Sequence, residues 1–358
     1  ADRTLTINHA DGGSETYTLK TEDVLGVRSM SVDGETVTID RTAPDLVRSI
    51  IADGQTITID TTREGVRTLT VDGTEITIDR TEESNLGSFI QQFTGSSLIL
   101  SLKDRASTSG NTTVVRVRRS SDNAEADFKA SEVSDGTLVA WVGAGNDGFV
   151  ETWYDQSGNG NDATQSVAGS QPKIVDAGVL VSGGLEFDGV DDTLEVPYVD
   201  FGSNDFYINI VAQRVDASNT KYLFTMGQGG AGQEWVSILD FGATDPNLSM
   251  GGFFDDDVAR LDADSNSGTK ATEFLFSLAR DVNTGRAFFN NNETTVDITT
   301  LGSLTNPNQY GRICAFRGAT SDAGFSNYKV QELIIYDSNQ SANRVGIETN
   351  INNQYDIY

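Results

Sequence analysis

Two stretches concentrate short oxygen-bearing side chains, and these are where binding chemistry is expected. Asp155-Gln156-Ser157-Gly158-Asn159-Gly160-Asn161-Asp162 gathers carboxylates, amides and a hydroxyl on a glycine-rich turn. Its candidate ligand residues are Asp155, Asn159, Asn161 and Asp162. A hard cation such as Ca²⁺ takes about six to eight oxygens at flexible angles, and sugar hydroxyls are met by the same groups. The competing reading is a tight loop in which Asp155 and Asn161 hydrogen-bond their own backbone, the ordinary use of such residues beside glycine. In Asp262-Ala263-Asp264-Ser265-Asn266-Ser267-Gly268 the oxygens of Asp262, Asp264 and Asn266 fall at the first, third and fifth places of a calcium loop. The glycine comes one place later than that loop requires, so a solvated loop competes here too. Calcium is the one cofactor these residues suggest.

Other chemistries find little support. Glycoside hydrolysis takes two carboxyl groups facing each other across a sugar, but among 53 acidic residues spacing along the chain selects no pair. Trp141, Trp153 and Trp235 are potential sugar platforms. Trp153 sits in an apolar run and reads as core, which is the default for the other two. The single histidine, His9, excludes most histidine-based metal or triad chemistry, and the single cysteine, Cys314, excludes an internal disulfide and reads as a small buried hydrophobe. No phosphate-binding loop, dinucleotide fingerprint or nucleophile elbow is present.

The elements that must position these residues fall into distinct regions. Val32-Asp33-Gly34-Glu35-Thr36-Val37-Thr38-Ile39-Asp40 recurs at Ala52–Asp60 and again at Val71–Asp79, with a degenerate copy around Ala10-Asp11-Gly12-Gly13. Alternating β-branched residues flank an Asp-Gly that accepts the positive φ of a tight turn, so each copy predicts a β-hairpin. A two-residue turn at Asp72-Gly73 sets Leu69 opposite Ile76. A lone hairpin is marginal in water, which points to stacking or assembly. Residues 1–83 are therefore expected to anchor or oligomerise the chain. Residues 84–94 form a helical linker capped at Ser84, with Phe89, Ile90 and Phe93 sharing a face. From 95 to 358, short apolar runs separated by Gly, Asn, Asp and Ser predict an all-β sandwich. Ile347, Ile351 and Tyr355 at four-residue spacing predict one short helix at its end.

Several segments carry a resemblance. Leu185-Glu186-Phe187-Asp188-Gly189-Val190-Asp191-Asp192-Thr193-Leu194-Glu195-Val196-Pro197 resembles the opening strand pair of laminin-G-like, concanavalin A-like jelly rolls, and Val330–Tyr336 with Asn350–Tyr358 resembles their closing strand and helix. Val115–Asp122 followed by Trp153–Ala163 is similar to a module of bacteriophage virion proteins and to the sandwich domain of fungal α-L-arabinofuranosidases. The latter resemblance implies a nucleophile-bearing strand near Gln233–Phe241, where those hydrolases continue with an acid, Asn and Gly. Here the chain runs Asp240-Phe241-Gly242-Ala243 and lacks the family's cysteines, so no enzymatic activity is expected.

The net charge of −28 argues against nucleic acid and anionic membrane surfaces as partners. No run approaches the roughly 18 apolar residues of a membrane span. Ala1-Asp2-Arg3-Thr4 shows no apolar signal segment, so assembly in a host cytoplasm is expected. Together these features suggest a structural virion protein, a capsid decoration or fibre. Its repeats would contact other virion proteins or copies of itself, with a trimer the expected number, and its sandwich would face outward at the virion surface. The alternative is a carbohydrate-binding module that attaches to cell-surface glycan, and behind it a glycoside hydrolase with facing carboxylates in a cleft.

Overall fold

The computed structural model describes the strands of residues 1–87 as backbone, without their connections. From Ser88 to Tyr358 it describes all but 203, 216–220, 228–234, 241–246, 255–258, 270–272, 282–283, 298–303, 305–309 and 319–320. Side chains are described from Ser88 onward outside those segments and outside 221, 247–254, 259–269 and 296–297. The chain divides into two compact units, Ala1–Gly87 and Ser88–Tyr358.

In the first unit each repeat is an antiparallel hairpin. Val66–Val71 pairs with Thr74–Asp79, leaving two residues for the turn and setting Leu69 opposite Ile76. Val27–Val32 with Glu35–Asp40, and Val47–Ala52 with Gln55–Asp60, repeat that register. These two hairpins join through Thr38↔Ile51 and Ile39↔Ile50 into a four-stranded sheet. The degenerate copy pairs Arg3–Asn8 with Ser14–Leu19 across a longer connection. The Asp-Gly turns themselves, His9 and Ser84 lie outside the described residues.

The second unit is an all-β sandwich. One run of antiparallel strands goes Asn292–Asp297, Thr284–Phe289, Glu273–Asp281, Phe206–Arg214, Tyr328–Tyr336. Leu98–Ser101 and Leu185–Glu186 pair with different lengths of the last strand. The other run goes Ala259–Thr269, Asn247–Phe254, Trp235–Asp240, Lys221–Gly227, Gly311–Ile313, Leu194–Val196. It continues through Ala163–Thr164 and Gly148–Trp153 to Thr113–Arg119 and Glu125–Lys129.

Alternation along the strands builds two cores. Phe206, Ile208, Ile210 and Ala212 point into the main core with Phe274, Phe276, Leu278, Tyr328 and Trp153. Tyr207 and Val211, one residue out of phase, join Leu275, Phe288, Ile334 and Tyr336 in a second core beneath two helices. These helices are Phe89–Gln92 and Arg344–Tyr355, contributing Phe89, Ile347 and Ile351. With both faces covered, the strand reads as a nearly continuous apolar run, Phe-Tyr-Ile-Asn-Ile-Val-Ala, and not as a half-polar alternation. Ser88 starts the first helix, its N–H donating to Gln91 Oε1 at 3.0 Å, so the helix packs within the sandwich. One glycine is dictated by space. Gly184 has φ +102°, and a Cβ there would lie 2.2 Å from the Val330 carbonyl oxygen.

Candidate functional site

A pocket of about 250 Å³ opens on the helix-bearing face of the first strand run. Sheet register builds one wall, because Ala279 pairs with both Tyr207 and Arg286, and Glu293 with Phe288. The residues that lead into the terminal helix, Asn339, Gln340, Ser341 and Arg344, build the other. Arg286 sits between two carboxylates, its Nε 3.1 Å from Asp281 Oδ2 and its Nη1 2.5 Å from Glu293 Oε1. Asn339 Nδ2 donates to Asp281 Oδ1 at 2.9 Å and to Asp205 Oδ2 at 2.8 Å. Arg344 lies 4.4 Å above the Phe288 ring and pairs with the buried Glu348 at 2.6 Å. Glu348 in turn accepts the Tyr207 hydroxyl at 2.6 Å, and burial raises both the Glu348 and Tyr207 pKa values above their ordinary ranges.

The pocket therefore offers donors and acceptors together over an apolar floor. Arg286 bonds its neighbours through Nε and Nη1 and Arg344 through Nη1, leaving N–H groups on both guanidinium forks. Glu293 keeps its second carboxylate oxygen.

In the glycine-rich turn, Asp155 and the side-chain amides of Asn159 and Asn161 bond within the fold. Asp155 Oδ1 accepts the N–H groups of Ile99 and Ser157, both at 2.9 Å. Its Oδ2 accepts the Ser157 hydroxyl at 2.7 Å and the Asn161 N–H at 3.0 Å. Asp162 accepts the Asp155 N–H, while Asn159 and Asn161 donate to the Ser97 carbonyl. The cluster ties residues 155–162 to the edge strand Leu98–Ser101. Asp262, Asp264 and Asn266 fall on strand Ala259–Thr269 and not on a loop, and their side chains lie outside the described residues.

Asp240 ends strand Trp235–Asp240 within the core, paired with Arg214 at 2.7 Å and accepting the Tyr328 hydroxyl at 2.8 Å. Trp153 is fully buried, Trp235 is buried against Phe316 and Tyr222, and Trp141 is half-buried beneath Arg119. Cys314 is buried, as its neighbours predict.

Among the described residues, Asp188, Asp191 and Asp192 form a group of carboxylates close enough to share a cation, within 4.8 Å of one another. Their geometry also has a local cause, since Asp188 Oδ1 accepts the N–H groups of Val190 and Asp191. Burial, reinforced by the charges of Asp188 and Asp191, pushes the Asp192 carboxyl up to about 7. No described helix is long and apolar enough to cross a membrane.

The pocket escapes sequence reasoning because its residues come from five segments between Phe206 and Arg344. The usable signal was the recurrence of arginines at Arg286 and Arg344 in a strongly acidic chain.

No protein-family description and no curated protein matches this sequence. Solved structures do. A mutant GH54 α-L-arabinofuranosidase soaked with 4-nitrophenyl α-L-arabinofuranoside aligns over 72% of this chain and 62% of its own, at TM-score 0.50 and 13% identity. An arabinofuranosidase complexed with arabinofuranosyl-α-1,2-xylobiose aligns over 71% and 61%, at TM-score 0.46 and 13% identity. Trypanosoma rangeli sialidase in complex with sialic acid aligns over 98% and 53%, at TM-score 0.39 and 11% identity. The chain thus covers less than two thirds of the arabinofuranosidase chains it matches.

The sandwich resemblance to arabinofuranosidases holds at the level of fold. The expectation that the chain is not an enzyme is corrected: the fold is one it shares, over 72% of its length, with a GH54 α-L-arabinofuranosidase. That expectation rested on the residues after one strand. At this identity, a local departure from one family's motif does not decide what the remaining surface can do.

Proposed function

We propose that the sandwich binds carbohydrate, with the pocket between Arg286 and Arg344 as a sugar subsite. The observation that carries this reading is the convergence of guanidinium donors, carboxylate acceptors and an apolar floor in one cavity. Sugar hydroxyls both donate and accept, so they are served by such a lining, while the C–H surface of the ring meets the apolar floor that Phe288 and Tyr207 line. The sandwich shared with arabinofuranosidases is consistent with it. The test is binding of the full chain to an array of immobilised glycans. Retention of a defined glycan, lost in Ser341→Phe at the exposed pocket rim, is the expected result; no glycan retained would sink the reading.

A second reading concerns residues 1–87, and the repeated hairpin register favours it. Three of the copies leave two residues for the turn, and a lone hairpin is marginal in water, so these repeats suit assembly of the chain into a homo-oligomer, with three copies the expected number. The similarity of Val115–Asp122 and Trp153–Ala163 to virion modules supports a place on a virion surface, as head decoration or fibre, contacting other virion proteins while the sandwich meets host glycan. Light scattering on the full chain tests the assembly. A mass that is a multiple of 38.5 kDa is expected, and a monomer at every concentration would overturn it.

A further inference from the structure

We infer that the pocket takes one uncharged sugar residue at the end or branch of a glycan, and neither an internal stretch of polymer nor an acidic sugar. The inference rests on the carbohydrate reading above and narrows it. Size is the first argument. Drug-sized ligands occupy pockets of about 300–1,000 Å³, and this cavity is about 250 Å³. That is room for a single ring, whereas successive residues of a chain would need a longer groove.

Charge is the second argument. Three guanidinium groups, Arg280, Arg286 and Arg344, line the cavity, but so do the carboxylates of Asp281 and Glu293. Arg286 is held by both of those carboxylates, Arg344 by Glu348, and Arg280 lies under the charge of Asp205, so the cations already have counter-charges. A ligand carboxylate only accepts hydrogen bonds. It would enter beside Asp281 and Glu293 and gain no unpaired cation in return. The net charge of −28 opposes it further at long range. A hydroxyl has neither difficulty, since it can donate to the open Glu293 oxygen and accept from a spare N–H of Arg286.

Arg286 is the residue that orients both acceptors. Without it, Asp281 and Glu293 lose the fork that fixes their oxygens, and hydroxyl recognition should fall sharply.

The experiment is calorimetric titration of the full chain at near-physiological salt with three sets of probes. These are free neutral monosaccharides (galactose, glucose, mannose, arabinose, xylose, fucose), the trisaccharides ending in each, and galacturonic and glucuronic acids. The inference expects at least one neutral monosaccharide to bind within about tenfold of its trisaccharide, with both uronates weaker. Arg286→Gln and Ser341→Phe should each weaken that sugar at least tenfold. Arg286 is one-third exposed and Ser341 lies on the surface, so neither change opens the core. Binding by trisaccharides alone, or uronates as the tightest ligands, overturns the inference and leaves carbohydrate binding standing. Undiminished affinity in both variants removes the sugar from this pocket. If no probe binds, the inference and the reading beneath it both fall.

Discussion

The buried pair Arg105–Glu332 is where removing one charge should cost most. Arg105 Nε and Nη2 lie 2.6 and 2.8 Å from the two Glu332 carboxylate oxygens, a bidentate fork with both side chains almost fully buried. Glu332 Oε2 also accepts the Ser101 hydroxyl at 2.7 Å and the Tyr355 hydroxyl at 3.0 Å. Arg105 Nη1 reaches Asn350 at 3.0 Å. One cluster thus joins the segment after the first edge strand, the closing strand and the terminal helix. Burial by itself would lower the Arg105 pKa, but the charges and hydrogen bonds of Glu332 and Tyr355 together more than offset it and hold the guanidinium above its ordinary range.

Breaking such a pair from one side leaves an uncompensated charge in the interior, at about 3–5 kcal/mol. Arg105→Met and Glu332→Gln should therefore each lower sandwich stability by that amount. Together they should cost less than the sum, by about 2–3 kcal/mol, because the double variant buries no lone charge. All three tryptophans of the chain, Trp141, Trp153 and Trp235, lie in the second unit, so their fluorescence in urea follows it selectively. With a slope of about 3 kcal/mol per molar, a loss of about 4 kcal/mol moves the midpoint by about 1.3 M. Strictly additive losses would show that the two residues are not coupled and that the network does not hold the helix as argued.

Two further expectations concern the jelly-roll segment around Gly184 and Asp192. The Asp192 carboxyl is raised to about 7 from an ordinary 3.8, so the folded state holds a proton that the unfolded chain has lost. Stability from this group is full below about pH 4 and lost as pH rises to about 7, a change on the order of a few kcal/mol. Asp192→Asn should flatten that slope and be the more stable form at pH 8; parallel urea midpoints for the two proteins from pH 4 to 8 would contradict the assignment. Gly184→Ala places a Cβ against the Val330 carbonyl at a backbone angle that L-residues avoid. A loss of at least about 3 kcal/mol, read by the same fluorescence, is expected.

The sequence by itself determined the local structure. Asp-Gly between alternating β-branched residues leaves one inexpensive conformation, so the hairpins and the Leu69–Ile76 register follow from adjacent residues alone. The turn of Asp155 and Asn161 was legible only in part: Asp155 accepts the nearby Ser157 and Asn161 N–H groups, but its bond to Ile99 and that of Asn161 to Ser97 come from the fold. The terminal helix was also legible, because Ile347 and Ile351 need only a four-residue period to share a face. Tertiary structure alone decided the rest. Nothing near Glu332 in the chain announces Arg105, and nothing near Arg286 announces Asn339 or Arg344. Those meetings depend on strand order and on which sheet face the terminal helix covers, and strand order is set by burial summed over the whole core. For the same reason Asp240, which sequence alone left beside a hydrolase motif it does not match, is fixed by its partners: Arg214 and Tyr328 lie next to it only once the sheets have closed.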